Sequence, residues 1–256
     1  MSAKPHPDWI VPSWPAGAPA NLRAFVTTRA GGVSVAPFDS CNLSLRVGDD
    51  PLAVAENRAR LRTSLPSAPH WLQLVHGVEV YEASAPAADT SPDELPVADA
   101  SVTRAANAVL TVSIADCLPV LFCDASGSVV AAAHAGWRGL CAGVLERTVE
   151  RMRVAPASLY AWLGPCIGPT AFEVGEDVRS AFCAAQADAA QHFKPHPQNA
   201  GKWLCDLAGL AGQRLRAAGV QHVATSDLCT VSDPRFYSFR RDRVTGRMHA
   251  FIWFEK

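Results

Sequence analysis

Short apolar runs alternate with polar breaks through the middle of the chain. Three of these runs have the length of buried strands, at residues 108–114, 118–123 and 128–136. Asp116 and Cys117 occupy the break between the first two runs, and His134 lies near the end of the third. The pattern therefore predicts that a carboxylate, a thiol and an imidazole lie at strand ends, where binding sites are commonly built.

The third run leads through a glycine-rich turn into an amphipathic segment at residues 140–152. Gly136 and Gly139 suit a turn with positive φ or a close approach of backbone to a ligand. Arg138 adds a positive charge where the start of a helix already favours anions. The simpler interpretation is that both glycines only turn the chain and that Trp137 fills a gap in the core.

The remaining hydrophobic pattern predicts further strands and helices that interleave irregularly. Helices are expected from Asp50-Pro51 to about residue 65 and near 174–187 and 203–217, and strands at 23–29, in two halves of 71–81, and at 157–163, 220–225 and 248–254. A surface loop is expected at 83–98. Because some gaps have hairpin length and others require crossovers, the order favours a single α+β domain over residues 1–256 with mixed sheets.

Composition narrows the range of functions. With 49% apolar and 18% charged residues the chain has the balance of a soluble globular protein, and its net charge of −1 gives no general attraction to nucleic acid or to an anionic membrane. No run is long enough to cross a bilayer, and residues 1–14 lack the apolar core of a signal peptide. Eight scattered cysteines without a C-x-x-C pair are typical of free thiols in the cytoplasm.

Three side chains share a setting that suits metal binding. His76 precedes a glycine at a break between strand-like segments, and Cys117 and His134 lie at strand ends. One thiolate and two imidazoles are suitable zinc ligands and leave a fourth tetrahedral position open. Sequence spacing does not show that the three meet, and each one alone is also compatible with a structural role.

Several short blocks resemble the laccase-like (multicopper polyphenol oxidoreductase) family. The most specific are ADCLPVLFCD at 115–124 and HAGWRG at 134–139, accompanied by TTRAGGVS at 27–34, NL at 42–43, VGDDP at 47–51, QLVHG at 73–77, GPCIG at 164–168, EVG at 173–175 and FRRDRVTGRM at 239–248. The resemblance covers nearly the whole chain. Two positions depart from the usual pattern, Cys41 before the NL block and Arg46 where members usually carry a histidine.

The resemblance implies a zinc-dependent purine nucleoside phosphorylase that acts on adenosine, inosine and methylthioadenosine and also deaminates adenosine. It implies that His76, Cys117 and His134 hold the zinc, with copper as the alternative ion. The fold it implies has four layers, α/β/β/α, with mixed sheets between the helices. Purine nucleosides and phosphate are then the expected partners.

The two activities require different groups. Deamination requires an activated water at C6 of the purine and a group that handles protons, for which Asp116 beside Cys117 and His134 is the candidate. Phosphorolysis requires arginine and backbone donors for phosphate. The candidates for substrate and phosphate contacts are Arg29, Arg138 and Arg240, together with Asn42 and Gln73 in the matching blocks.

Other classes of function remain open at this point. A multicopper oxidase needs about ten imidazoles, and the chain has eight histidines and no H-x-H pair, so a copper-dependent polyphenol oxidase is at most a secondary activity. Cys117 with His134 as its base would instead make a cysteine hydrolase, such as an amidase that edits cell-wall precursors. A metal-binding protein without turnover is the third alternative. Thiol reactivity separates the zinc-dependent phosphorylase from the cysteine hydrolase, because zinc protects a ligating thiolate from alkylation.

Overall fold

The computed structural model of the protein describes residues 6–88 and 95–256, so part of the loop expected at 83–98 lies outside the described residues. The strands are β1 (Leu22–Val26), β2 (Pro69–His70), β3 (Val80–Ala83), β4 (Ala100–Thr103), β5 (Val109–Ile114), β6 (Leu118–Asp124), β7 (Val130–Ala135), β8 (Leu159–Leu163), β9 (Glu173–Gly175), β10 (Phe193–Pro195), β11 (Lys202–Cys205), β12 (His222–Thr225) and β13 (Met248–Phe254). The α-helices are α1 (Pro51–Arg62), α2 (Trp137–Ala142), α3 (Val144–Met152), α4 (Glu176–Ala185), α5 (Leu207–Ala217) and α6 (Phe239–Asp242).

The strands form three sheets. The largest has the order β12-β8-β6-β7-β4-β3, and a second has the order β1-β13-β5-β2. Both are mixed, because each contains parallel pairs, β12 with β8, β3 with β4 and β2 with β5, among antiparallel ones. A small antiparallel sheet joins β10, β11 and β9.

Alternation along the strands explains how the two large sheets pack into layers. In β6, Leu121 and Cys123 pack against the four-stranded sheet, whereas Val120 and Phe122 pack against the helices on the other face. In β13, Phe251 faces the layer that contains α1. Because successive side chains of a strand point to opposite faces, each sheet has two buried faces. The result is a helix, sheet, sheet, helix arrangement, and the predicted four-layer α+β fold with mixed sheets is confirmed.

Local sequence accounts for the helix boundaries. The carboxylate of Asp50 accepts the backbone N–H of Leu52 at 3.0 Å, and Pro51 occupies the first turn of α1. Gly143, with a φ of 104°, separates α2 from α3. The single helix predicted at 140–152 is therefore wrong at its start, because helical structure begins at Trp137 and breaks at that glycine.

Two other predicted elements are also wrong in detail. The helix expected near 203–217 begins only at Leu207, because residues 202–205 form β11, and Asp206 caps the helix that follows. The segment 71–81 contains a strand only from Val80 onward. In both places a short strand depends on pairing with a distant partner, which the local pattern does not show. No helix in the described part of the chain has the length and apolar character needed to cross a membrane.

Candidate metal and substrate site

His76, Cys117 and His134 meet in space. Their ligand atoms all lie within 4.8 Å of one another, and the Cys117 sulfur is 3.8 Å from Nε2 of His76. His134 is buried, Cys117 is partly buried and His76 is exposed, so the cluster opens to solvent on the His76 side. The fold thus brings together the three side chains that the sequence singled out.

The backbone around two of these positions adopts a rare conformation. His76, in the loop before β3, has a φ of 59°, and Asp116, which immediately precedes Cys117, has a φ of 96°. Residues other than glycine seldom adopt positive φ, and such conformations concentrate at binding and catalytic sites. These two turns direct the His76 and Cys117 side chains toward the end of β7, where His134 lies.

Asp99, which precedes β4, fixes the positions of His76 and His134 through four hydrogen bonds. One carboxylate oxygen accepts Nδ1–H of His134 and the backbone N–H of His76, both at 2.9 Å. The other oxygen accepts the backbone N–H groups of Val75 at 3.1 Å and Gly77 at 2.7 Å. Asp99 is fully buried, so these four bonds satisfy it without water. They leave Nε2 of His134 free to bind a metal, an arrangement typical of metal-binding histidines.

Electrostatics in the cluster favour the thiolate. Burial alone would raise the pKa of the Cys117 thiol, but the charge of His134 and hydrogen bonds from both imidazoles lower it to about 6. Burial would lower the pKa of His134, whereas the Cys117 thiolate and Asp99 raise it to about 9. Thiolate is the form of cysteine that binds metal ions and also the form that acts as a nucleophile.

The two glycines of the HAGWRG turn are required by close packing. A Cβ on Gly136 would lie 2.8 Å from Cδ2 of His76 and 3.1 Å from the sulfur of Cys117. A Cβ on Gly139 would lie 2.8 Å from the carbonyl oxygen of Gly77. The turn therefore packs directly against the ligand cluster, and larger residues at either position would displace it.

A cavity of about 410 Å³ opens over the cluster. Its walls include the three ligand residues and the side chains of Ser44, Leu45, Arg46, Arg58, Trp71, Ser113, Phe239, Arg247 and His249. His249 and Ser113 are paired across β13 and β5 and project from the face of that sheet that also carries Phe251. The cavity thus lies beside α1, which contributes Arg58.

Two arginines of this cavity lack a carboxylate partner in the part of the chain that the structure describes. Arg58 donates to the carbonyl of Leu43 at 2.9 Å, with its guanidinium 4.0 Å from the centre of the Trp71 ring. Arg247 donates to the carbonyls of Thr245 and Gly246. Burial lowers the pKa of Arg58 to about 10 and also lowers the pKa of Arg247. Partly buried charges without a counterion form a favourable site for an anion.

The structure places the three arginines expected to bind phosphate outside this cavity. Arg29 forms an ion pair with Asp39 at 2.8 Å. Arg138 is exposed, with its guanidinium 4.4 Å from the centre of the Trp137 ring. Arg240 donates to the carbonyl of Glu173 at 3.1 Å.

The other expected site residues form hydrogen bonds with residues in and around the cavity walls. Asn42 is fully buried, donates to Asp49 at 2.9 Å and accepts the backbone N–H of Arg247 at 2.9 Å. The side-chain oxygen of Gln73 accepts a bond from Arg46 at 3.2 Å. Asp116 accepts bonds from Thr230 and from the backbone of Arg240, both at 2.6 Å, so its carboxylate is engaged in structural contacts.

Sequence reasoning missed Asp99, Arg58, Trp71, Arg247 and His249. Arg247 lies inside the matching block FRRDRVTGRM, and His249 alternates with Phe251 on one face of a strand, so both had a signal in the sequence. Asp99 had none, because its role depends on contacts with residues more than 20 positions away.

Comparison with known proteins agrees with the resemblance in the sequence. Residues 23–255 match the sequence model of a family described as multi-copper polyphenol oxidoreductase laccase. A protein of Pseudomonas aeruginosa named purine nucleoside phosphorylase is 52% identical over 248 residues, which cover 96% of this chain and 98% of that protein. An Escherichia coli protein named purine nucleoside phosphorylase YfiH is 49% identical, with 95% and 98% of the two chains covered.

Solved structures show the same fold. A Neisseria meningitidis protein matches with a TM-score of 0.89 and 42% identity, covering 97% of this chain and 100% of that one. YlmD from Geobacillus stearothermophilus matches with a TM-score of 0.79 and 30% identity, covering 93% of each chain. The similarity extends over the layers, sheets and loops that build the cluster and the cavity.

Proposed function

The chain belongs to the multi-copper polyphenol oxidoreductase (laccase) family, and we propose that it acts as a zinc-dependent purine nucleoside phosphorylase. The observation that carries this proposal is a single cavity lined by His76, Cys117 and His134 and by two arginines that form no ion pair with a carboxylate among the described residues. Relatives about 50% identical are named purine nucleoside phosphorylase, which supports the same reaction. Adenosine, inosine and methylthioadenosine are the substrates we propose.

In this reaction a phosphate oxygen attacks C1′ of the ribose and the bond from C1′ to N9 of the base breaks. The base leaves with the electron pair and takes up a proton, giving a free purine and ribose 1-phosphate. We assign phosphate binding to Arg58 and Arg247, whose guanidinium groups line the cavity. Their charge holds the attacking anion against the sugar.

The donor set fits zinc. Asp99 accepts Nδ1–H of His134, which leaves Nε2 of that ring as the ligand atom, and the Cys117 pKa of about 6 favours the thiolate that zinc requires. His76 completes a set of three, with solvent access on its exposed side. Zinc bound there supplies positive charge that stabilises negative charge on a substrate or a water. Metal analysis of the purified protein distinguishes bound zinc from bound copper, the alternative ion.

We include adenosine deaminase activity in the proposal, because the open side of the same cluster faces the cavity. There a water adds to C6 of the purine and ammonia leaves. Asp116 then serves as a positioning residue, since both of its carboxylate oxygens accept structural hydrogen bonds. We also propose a cytoplasmic location, which the eight free cysteines support.

A cysteine hydrolase is the second candidate, and one observation favours it. Asp99, His134 and Cys117 form an orienting acid, a base and a nucleophile in the order that cysteine hydrolases use. His76 has no role in that scheme, although its Nε2 lies 3.8 Å from the Cys117 sulfur. Two imidazoles directed at one sulfur suit an ion better than a nucleophile.

Two measurements test the proposal. Purified protein given inosine and phosphate is expected to release hypoxanthine and ribose 1-phosphate, with no base released when phosphate is omitted. Zinc-loaded protein is expected to resist alkylation of Cys117 by iodoacetamide until a chelator removes the metal. Cys183→Ala, which removes another partly buried thiol, is the matched control and should leave this protection unchanged. Base release that does not require phosphate, or rapid alkylation with zinc bound, would favour the hydrolase.

A further inference from the structure

A second, smaller cavity adjoins the first beside the ligand cluster. It has a volume of about 140 Å³ and shares Ala115, Cys117 and Phe239 with the larger cavity. The remaining walls are formed by Asp116, Trp137, Ile167, Phe172, Leu207 and Arg240. A molecule that spans the boundary between the two cavities therefore passes directly by the sulfur of Cys117.

Hydrogen bonds engage the carboxylate of Asp116 and one nitrogen of the Arg240 guanidinium in the smaller cavity. Asp116 accepts bonds from the Thr230 hydroxyl and from the backbone N–H of Arg240, both at 2.6 Å. The guanidinium of Arg240 donates to the carbonyls of Glu173 at 3.1 Å and Ala171 at 3.5 Å. Apart from Asp116, Arg240 and Cys117, the walls offer a ligand apolar side chains and aromatic rings.

The two cavities thus differ sharply in chemistry. The larger one presents Arg58 and Arg247, which favour phosphate, together with hydroxyl and imidazole groups that suit a sugar. The smaller one has mostly apolar and aromatic walls, against which a charged group would lose hydration. A flat heteroaromatic ring is the part of a nucleoside that gains most from aromatic walls.

Phe239 is held in an unusual position at the boundary. It is 49% exposed, whereas its neighbours Phe236 and Tyr237 are fully buried. The hydroxyl of Ser238 accepts the backbone N–H of Arg241 at 3.2 Å and so caps the short helix α6 that carries the ring. The bond from the backbone of Arg240 to Asp116 ties the same turn to the residue beside Cys117. An exposed ring fixed in this way forms a surface on which a base can stack.

We infer that during phosphorolysis the purine base lies in the smaller cavity, stacked on Phe239, while ribose and phosphate occupy the larger cavity; deamination requires the base in a second orientation, with C6 at the ligand cluster. This inference rests on the proposed function. The smaller cavity, with a volume of about 140 Å³, holds about five waters at liquid density and so has room for a flat ring system. The bond from C1′ to N9 then lies at the boundary beside Cys117.

Calorimetric titration with adenine alone tests this placement without requiring turnover. Phe239→Leu keeps an apolar side chain and removes the ring, and we expect it to weaken adenine binding roughly five- to hundredfold, the range for loss of one stacked base. Phe239→Tyr keeps the ring and should bind adenine as the unmodified protein does. Val244→Ala is the matched control, because Val244 is 57% exposed, lies five residues further along and lines neither cavity.

The outcomes separate the two proposals. Equal adenine affinity in the Phe239→Leu and unmodified proteins would overturn the placement of the base, as would an affinity that depends on Arg58 instead. Adenine binding that depends on Phe239, without phosphate-dependent base release from inosine, would leave the placement intact and reject the phosphorylase. In the active enzyme, Phe239→Leu should raise KM for the nucleoside more than KM for phosphate.

Discussion

Nδ1 of His134 lies 2.9 Å from a carboxylate oxygen of Asp99, and both side chains are almost completely shielded from solvent. The same carboxylate accepts three backbone N–H groups from residues 75–77. One acid therefore fixes the orientation of the His134 ring and the course of the loop that carries His76. Two of the three proposed ligands depend on this single residue.

Asp99→Asn is expected to weaken zinc binding roughly ten- to hundredfold. The amide nitrogen that replaces one carboxylate oxygen cannot accept the N–H groups that this oxygen accepts. The free energy of unfolding should also fall by about 1–3 kcal/mol for each donor left without a partner. Competition with a chelator measures the zinc affinity, and chemical denaturation measures stability. Asp124→Asn is the control, because Asp124 is a buried carboxylate held by Ser126 and Ser128 away from the cluster. Equal zinc affinity in the Asp99 variant and the unmodified protein would contradict the positioning role.

Gly136→Ala should reduce zinc affinity because its Cβ would lie within 3.1 Å of both His76 and Cys117. Overpacking of this kind costs about 1–3 kcal/mol, which we expect mainly as displacement of the two ligands. Zinc content after dialysis provides the measurement. Gly212→Ala in α5, where the new methyl meets only the flexible end of Arg216, should retain full zinc content. A Gly136→Ala protein with unchanged zinc affinity would show that the turn does not support the ligands.

Arg58→Gln and Arg247→Gln should each raise KM for phosphate roughly ten- to hundredfold, since each removes one charged hydrogen bond to the anion. Zinc content should be unchanged in both variants. Arg138→Gln should change KM for phosphate by less than about twofold, because Arg138 is exposed and lines neither cavity. A large effect at Arg138 with none at the other two would place the phosphate at the HAGWRG turn instead.

His249 should make stability depend on pH below 6.5. Burial and the nearby charges of Arg58 and Arg247 hold the pKa of His249 well below its ordinary value of 6.5. As pH falls below 6.5 the unfolded chain takes up a proton that the folded protein does not, so stability falls by roughly 1.4 kcal/mol per pH unit. Denaturation of zinc-loaded protein at pH 6.5, 6.0 and 5.5 should show a slope that His249→Gln reduces by about this amount. Identical slopes in both proteins would mean that His249 is protonated in the fold.

The sequence predicted the parts of the site that depend on local pattern. Cys117 and His134 lie at ends of strongly apolar strands, and the glycines beside His134 mark a tight turn, so each had a local signal. Their meeting with His76 could only be inferred from the family resemblance, because it depends on the pairing of distant segments.

The rest of the site depends on tertiary contacts that no local pattern shows. Arg58 is one of three arginines in α1, and its place in the cavity follows from how α1 packs on the four-stranded sheet. In the sequence, the charge of Arg138 between two glycines resembles an anion site. The structure explains those glycines by close packing against His76 and Gly77 instead.

The strand β13 has an interior place in its sheet, between β1 and β5, although it follows all the other strands of the described residues along the chain. During synthesis on the ribosome, the edges of β1 and β5 that pair with β13 therefore remain unpaired until residues 248–254 have emerged from the exit tunnel. Such pairing of distant segments is slow, and unpaired apolar edges in the meantime favour aggregation. Arg247 and His249 belong to the same segment of the chain. The side of the cavity that they form and the complete four-stranded sheet are therefore formed together, in one late step of folding.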